Sequence, residues 1–299
     1  MATGPHDMRS DDKKRGTHGR LNIAGIKNYG ADCAFNAATQ FLLALTFGLP
    51  SVTSPWGCNL ISDALRYTGW LTATFLCLVV NPLTRALRKE FGVFRGSHVQ
   101  HDVGHVFLST LEGSGHRDSF EFFLKESRTC INGHTWESEP VSHLTLITPT
   151  ESCNSLEEAL ANNAFRGHTE TMCCPQCRKD VAVTSHPTMS GTPPDILVVE
   201  LTYGHSDAAP TIEIPQNLNV GSTTEYELVS ITQHNGSSIA GHYVAYKRST
   251  ELGCWIMFND EKVFRMPANF NPGMLQGVRL LGYKVWWINV FFIIINYFN

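Results

Sequence analysis

The sequence predicts an α+β protein, with a helical N-terminal part followed by an antiparallel β part. Two observations carry this. Apolar residues in the first 120 positions recur with helical spacing, whereas after residue 140 they alternate or form β-branched runs at short intervals. The chain of 299 residues is 42% hydrophobic and 17% charged, a globular composition long enough to bury a sizeable core.

In chain order, residues 1–20 ("MATGPHDMRSDDKKRGTHGR") are polar and are expected to be disordered; they lack the apolar core of a signal peptide. Asp32 precedes "CAFNAATQFLLALTF", where Phe35, Phe41, Leu42 and Leu45 share one helical face. Residues 61–66 and 82–90 read as helices. "TGWLTATFLCLVV" (68–80) reads as a buried helix, too short to span a membrane. "HDVGHVFLSTLE" (101–112) starts a helix with Asp102 near its N-cap. "SHLTLITP", "DILVVELTY", "EYELVSITQH", "GHYVAYK", "CWIMFND" and "VRLLGYKV" follow as strands, and no internal repeat is visible. The last stretch, "VWWINVFFIIINYFN" (285–299), contains three asparagines and falls short of the roughly 20 apolar residues of a spanning helix. A packed strand, a partner-docking tail, a marginal tail anchor or an unnatural chain end all fit it. A membrane partner is not expected.

A formal charge of -4 gives no basic face for nucleic acid. Nine cysteines, an odd number at irregular spacing, do not form a secreted disulfide framework. A reducing compartment, cytoplasmic or nuclear, is expected, where cysteines serve metal or catalysis. The "NGS" at 235–237 therefore carries little as a glycosylation signal.

Two constellations carry chemistry. "RTCINGHTW" offers Cys130 and His134, and "TMCCPQCRK" offers Cys174 and Cys177, with Cys173 an alternative to Cys174. Cys-x2-Cys around a proline is the knuckle that aims two sulfurs at one tetrahedral ion, so a closed, structural Zn²⁺ site is expected; reduced cysteines in a hairpin are the bland alternative. Residues 131–170 between the two halves hold six acids and one arginine, either a solvated face or a surface for a basic partner.

The second constellation begins at Cys33. It is either a small core residue or a thiolate at a helix N-terminus, where the macrodipole favours the anion. "QHNGSSIAGHYVAYKR" places His242 directly after Gly241, and a glycine there permits close approach of another backbone. "WIMFND" ends in Asn259 and Asp260, residue types that orient an imidazole through its second nitrogen. Cys33, His242 and Asn259 then make a Cys–His–Asn set for acyl transfer, with Asn28 and the Cys33 backbone N–H as oxyanion donors. Adjacent strand residues face opposite ways, so one of Asn259 and Asp260 is expected to face the imidazole, the other to act at longer range.

These motifs resemble the ubiquitin-specific protease family of deubiquitinating enzymes across roughly residues 22–284. The cysteine box is "GIKNYGADCAFNAATQFL", with family positions at Asn28, Gly30, Cys33, Asn36 and Gln40; the histidine box is "YELVSITQHNGSSIAGHYVAYKR" followed by "WIMFNDEKV". The resemblance implies a papain-like hand, with a helical thumb, a β palm, and β fingers at roughly 125–205 tied by zinc. It implies a catalytic domain at 21–285 and leaves 286–299 as a tail without a family counterpart. Ubiquitin and ubiquitinated proteins become the partners, and the isopeptide or peptide bond after ubiquitin's terminal glycine becomes the substrate. The Gly241 groove is expected to fit a tail without side chains, and Asn259 takes the place facing His242. Departures are His105 and Val106 in "QHDVGHVF", where the family has glutamate and phenylalanine, and His134 where it has cysteine. The altered helix keeps open a catalytically weak ubiquitin-binding module; a zinc-stabilised scaffold without ubiquitin contact is the third reading.

Overall fold

The computed structural model describes residues 6–7, 25–28, 30–46, 101–203, 211–220, 224–237 and 240–285. The helices expected at 61–66, 68–80 and 82–90 and the tail at 286–299 lie outside the described residues, as does the N-terminal segment apart from His6–Asp7. Those two residues form a short strand, β1, rather than coil.

Among the described residues, two helices build the thumb side. Helix α1 spans Cys33–Thr46, and α2 spans Val103–Ser114. Asp102 caps α2, its Oδ1 accepting from the backbone N–H of Gly104 at 2.9 Å and His105 at 3.2 Å. Gly115, at φ 77°, ends α2 in the left-handed conformation that glycine adopts without strain. A single apolar face was expected for α1, but all its residues are buried, including Asn36, Thr39 and Gln40. The helix is a central pillar enclosed on every side, so its polar positions are covered as well.

A nine-stranded sheet forms the palm, in the order β1-β13-β12-β11-β10-β14-β8-β5 with β9 beside β10. Its strands are β5 (Leu146–Pro149), β8 (Ile196–Thr202), β9 (Asn217–Asn219), β10 (Glu225–Ser237), β11 (Ala240–Ser249), β12 (Cys254–Asn259), β13 (Lys262–Arg265) and β14 (Val278–Val285). All pair antiparallel except β5 with β8. A second, five-stranded sheet forms the fingers from β2 (Phe122–Cys130), β3 (Thr135–Glu137), β4 (Val141–His143), β6 (His168–Cys174) and β7 (Lys179–Ser190). "SHLTLITP" is therefore split between the sheets, β4 joining the fingers and β5 the palm.

One face of the palm packs on α1 and α2 through Phe35, Phe41, Leu45, Phe107, Val198 and Leu280. Helix α1 lies close over Gly282 on β14, where a Cβ would lie 2.6 Å from Leu45 Cδ2 and 3.0 Å from Phe41 Cζ. The other face buries a second cluster around Tyr226, Tyr283 and Leu281. Val106, the smaller residue on α2, is fully buried while His105 is exposed. Among the described residues no helix is long and apolar enough to cross a membrane.

Phe41 is fully buried and meets Phe107 edge-on at a centroid distance of 5.4 Å. Phe41→Ala is expected to destabilise the protein by about 3–5 kcal/mol, measured by urea denaturation; a loss below about 1 kcal/mol would contradict this packing.

Candidate functional site

The segment before α1 is folded by its own side chains. Asn28 Oδ1 accepts from the backbone N–H of Gly30 at 2.9 Å and of Asp32 at 3.2 Å, a side-chain turn that delivers the chain into the helix. Cys33 is the first residue of α1 and only 6% exposed. Its sulfur thus sits at the positive end of the helix dipole.

His242 reaches Cys33 from the β10–β11 hairpin, where it pairs with Asn235. Its Nε2 lies 2.8 Å from Asn259 Oδ1 at the end of β12. An amide oxygen only accepts, so Nε2 carries the proton and Nδ1 is left for Cys33. The hydrogen bond with Cys33 is the main reason that the imidazole's pKa is raised to about 9; Asn259 and the Asp260 charge add to it, and burial opposes it. His242 is accordingly an imidazolium at neutral pH.

Asn259 and Asp260 were expected to face opposite ways as strand neighbours. Asn259 is the direct partner and Asp260 the longer-range one, as expected, but strand alternation is not the reason: β12 ends at Asn259, and Asp260 has φ 51°, in the left-handed region. That turn brings both side chains to the same imidazole, with Asp260 Oδ2 3.7 Å from His242 Nε2. The same oxygen accepts from Asn28 Nδ2 at 3.0 Å, and Oδ1 accepts from Asn36 Nδ2 at 2.7 Å. The backbone closes the contact, Ile26 N–H donating to Asp260 C=O at 2.9 Å. A Cβ on Gly25 would lie 2.3 Å from that carbonyl oxygen, so only glycine fits there.

Asn28, Cys33, His242, Asn259 and Asp260 thus converge. Asn36 was not singled out as a site residue. The signal was its position three residues after Cys33, on the same side of the helix. Little side-chain clearance was expected at Gly241. The place of its missing side chain is taken by the His234 ring, whose Nε2 would lie 2.2 Å from a Cβ there. That ring packs on Tyr243 at 4.5 Å, so the glycine serves packing within the protein.

The fingers bring together the second predicted set. Cys130 ends β2, His134 follows the turn at Gly133 (φ 82°), Cys174 ends β6 and Cys177 lies just beyond it. Their ligand atoms all lie within 4.8 Å of one another. Zn–S bonds of about 2.3 Å and Zn–N bonds of about 2.0 Å give tetrahedron edges of about 3.8 Å for S···S and 3.5 Å for S···N. Cys130 and Cys177 sulfurs are 3.9 Å apart; His134 Nδ1 is 3.6 Å from Cys130 and Cys174 sulfurs and 3.2 Å from that of Cys177. The set can hold one metal ion. Cys173 is exposed, which favours Cys174 as the ligand. Asn132 Nδ2 donates to Cys177 Sγ at 3.2 Å, a support for the ligand from outside the set. Part of the acidic stretch is engaged internally, Glu137 with Lys125 at 2.8 Å and Glu158 with the Asn154 N–H at 2.8 Å.

A family model described as ubiquitin carboxyl-terminal hydrolase matches residues 24–276. Among curated proteins, ubiquitin carboxyl-terminal hydrolase 4 of Rattus norvegicus is 26% identical over 160 residues, covering 48% of this chain and 16% of that protein. The chain thus spans about a sixth of the length of that relative. Among solved structures, the SAGA DUB module Ubp8/Sgf11/Sus1/Sgf73 bound to monoubiquitin is similar with a TM-score of 0.72 at 18% identity, over 93% of this chain and 73% of that one. The Ubp8/Sgf11/Sus1/Sgf73 module bound to ubiquitin aldehyde gives 0.71 at 18%, over 93% and 73%. At such identities the likeness is one of fold: the α+β hand with helical thumb, palm and fingers.

The raised pKa of His242 has a measurable consequence. NMR titration of its ring is expected to give a value near 9, lowered most by Cys33→Ala and less by Asn259→Ala. Because the folded value exceeds the ordinary 6.5, the stabilisation is fully present below about pH 6.5 and is lost as pH rises through about 9. A His242 that titrates near 6.5 in the unaltered chain would refute the Cys33–His242 contact.

Proposed function

The chain belongs to the ubiquitin carboxyl-terminal hydrolase family, and on that premise we propose that it is a deubiquitinase hydrolysing the isopeptide or peptide bond after ubiquitin's C-terminal glycine. One observation carries this reading: a cysteine at a helix N-terminus, hydrogen-bonded to a histidine ring whose far nitrogen is held by Asn259.

In the proposed reaction, the Cys33 thiolate attacks the glycine carbonyl carbon. The carbonyl π electrons move to oxygen, which becomes the oxyanion of a tetrahedral intermediate. Asn28 Nδ2 spends one N–H on Asp260 and has a second for that oxyanion; the Cys33 backbone N–H is the other donor. Collapse breaks the C–N bond, His242 gives its Nδ1 proton to the leaving amine, and a thioester remains. Water then attacks the thioester, passes a proton to His242, and releases the ubiquitin carboxylate and Cys33. Asn259 fixes the ring through both steps.

The four finger ligands suit a structural Zn²⁺, since two cysteine sulfurs, a third and one imidazole close the tetrahedron with no open position. Bound zinc would supply cross-linking of the β2 and β6 ends and no chemistry at Cys33. Ubiquitin is the proposed partner, its basic surface facing the acids of the fingers that remain exposed. The need for reduced Cys33 and finger thiols supports a cytoplasmic or nuclear location.

Ubiquitin carrying a C-terminal electrophile is expected to label Cys33, and Cys33→Ala is expected to abolish hydrolysis of a ubiquitin C-terminal fluorogenic amide while retaining ubiquitin binding. Tight binding without labelling would establish a ubiquitin-binding module instead; neither binding nor labelling would refute both. Asn259→Ala is expected to move the alkaline limb of kcat/KM, near pH 9 in the unaltered chain, to lower pH.

Elemental analysis is expected to find about one zinc per chain. His134→Ala should lose it and loosen the fingers before the palm, whereas His134→Cys should retain it. Zinc far below one per chain, in protein prepared without chelator, would refute the metal assignment.

A further inference from the structure

The Asn36 amide is 3% exposed and points its nitrogen at two acceptors, Asp260 Oδ1 at 2.7 Å and the Ile26 carbonyl at 3.3 Å. Neither partner can donate, so the amide's orientation is fixed: its nitrogen, not its oxygen, must face them. Its own oxygen is buried with no hydrogen-bond partner. A buried amide oxygen left unsatisfied costs free energy. A site that tolerates this cost retains the residue for its two donors.

What those donors hold is the Asp260 carboxylate. Asp260 leaves its strand with a left-handed backbone, so its side chain is not aimed by the sheet register. Asn36 anchors Oδ1 from the first turns of α1, and this leaves Oδ2 turned toward Asn28 Nδ2 at 3.0 Å. Asn28 is held at its other end by Gly30 and Asp32 N–H. The direction of its remaining N–H therefore depends on where Oδ2 lies.

We infer that Asn36 is a positioning residue: through Asp260 it sets the aim of the Asn28 oxyanion donor. The same helix that presents the nucleophile thereby fixes the group that stabilises the charge the nucleophile creates. The assignment rests on the reading of Cys33 and Asn28 given under Proposed function.

The test separates acyl transfer, which forms an oxyanion, from alkylation of Cys33 by iodoacetamide, a displacement at carbon that forms none. Asn36→Asp keeps shape but places a second carboxylate against Asp260. At pH 8 it is expected to lower kcat on a ubiquitin C-terminal fluorogenic amide on the order of 10- to 100-fold, with KM within about twofold. Cys33 alkylation, followed by peptide mass spectrometry, is expected to stay within about threefold of the unaltered chain. The double variant N36D/D260N exchanges donor and acceptor and is expected to regain part of kcat. An unchanged kcat in N36D, a parallel loss of alkylation, or a double variant no better than N36D would each overturn the assignment. Rapid Cys33 alkylation in an unaltered chain that never cleaves the ubiquitin amide would instead overturn the function on which it rests, and the assignment with it.

Discussion

The seam between residues 25–36 and the turn at 259–261 is the contact on which the site depends. It joins the start of α1 to the end of β12, segments more than 220 residues apart in sequence. Its parts are a backbone hydrogen bond from Ile26 to Asp260, a glycine that lets the two chains touch, and a carboxylate shared by two asparagines. A carboxylate accepting from side-chain amides in a poorly solvated place makes stronger hydrogen bonds than neutral partners would. Without the seam, Cys33 would still head its helix and His242 would still lie in its hairpin, but the Asp260 carboxylate and the Asn28 amide would lose their fixed places beside them.

Packing explains why such a seam can be rigid. Helix α1 is buried along its whole length, with Phe41 and Leu45 pressed on Gly282 of β14 and Phe41 against Phe107 of α2. A helix held on all sides cannot slide, so the position of its first residue is set by the core. The fingers stand apart from this arrangement. Their small core of Cys130, Cys174 and Val183 is made largely of the same side chains that converge as metal ligands. The base of the sheet is held by Phe122 in the palm core, but at the tip three buried residues, with Trp136, Met172 and Val181 half-buried around them, bring little apolar area, the circumstance in which a bound ion contributes folding free energy.

The sequence carried the local parts of this site plainly, and the non-local parts hardly at all. Cys33, His242 and the metal ligands lie in short segments whose spacing has a chemical meaning, and each converges as expected. Asp260 lies at longer range than Asn259, as expected, but not for the expected reason: alternation was applied one residue beyond the strand's end, and a left-handed turn has no period-two pattern. At Gly241 little side-chain clearance was legible, but a sequence does not say whose atoms fill the space over a glycine; here they include those of His234. The apolar face of α1 was legible but the burial of its other positions was not, because amphipathic spacing describes a helix with one neighbour, and this one is surrounded. Asn36 was visible as a position of the cysteine box but without a role, since its importance comes from what sits across from it.

In the proposed reaction, the division of labour between Asn259 and Asp260 follows from what the imidazolium must do. It has to be stable enough to pair with a thiolate and acidic enough to give its proton to a leaving amine. Cys33 already raises His242 to about 9. A carboxylate in direct contact at 2.8 Å would raise it further and make the ring a poorer acid. Asn259 occupies that contact as a neutral amide, fixing the tautomer at little electrostatic cost. The negative charge sits one residue along, 3.7 Å away, with its oxygens engaged by Asn28 and Asn36. Those two amides draw charge density away from the imidazole while the carboxylate orients one of them. The left-handed turn at Asp260 makes this arrangement possible, because only a chain that breaks its strand there can present two consecutive side chains to one ring.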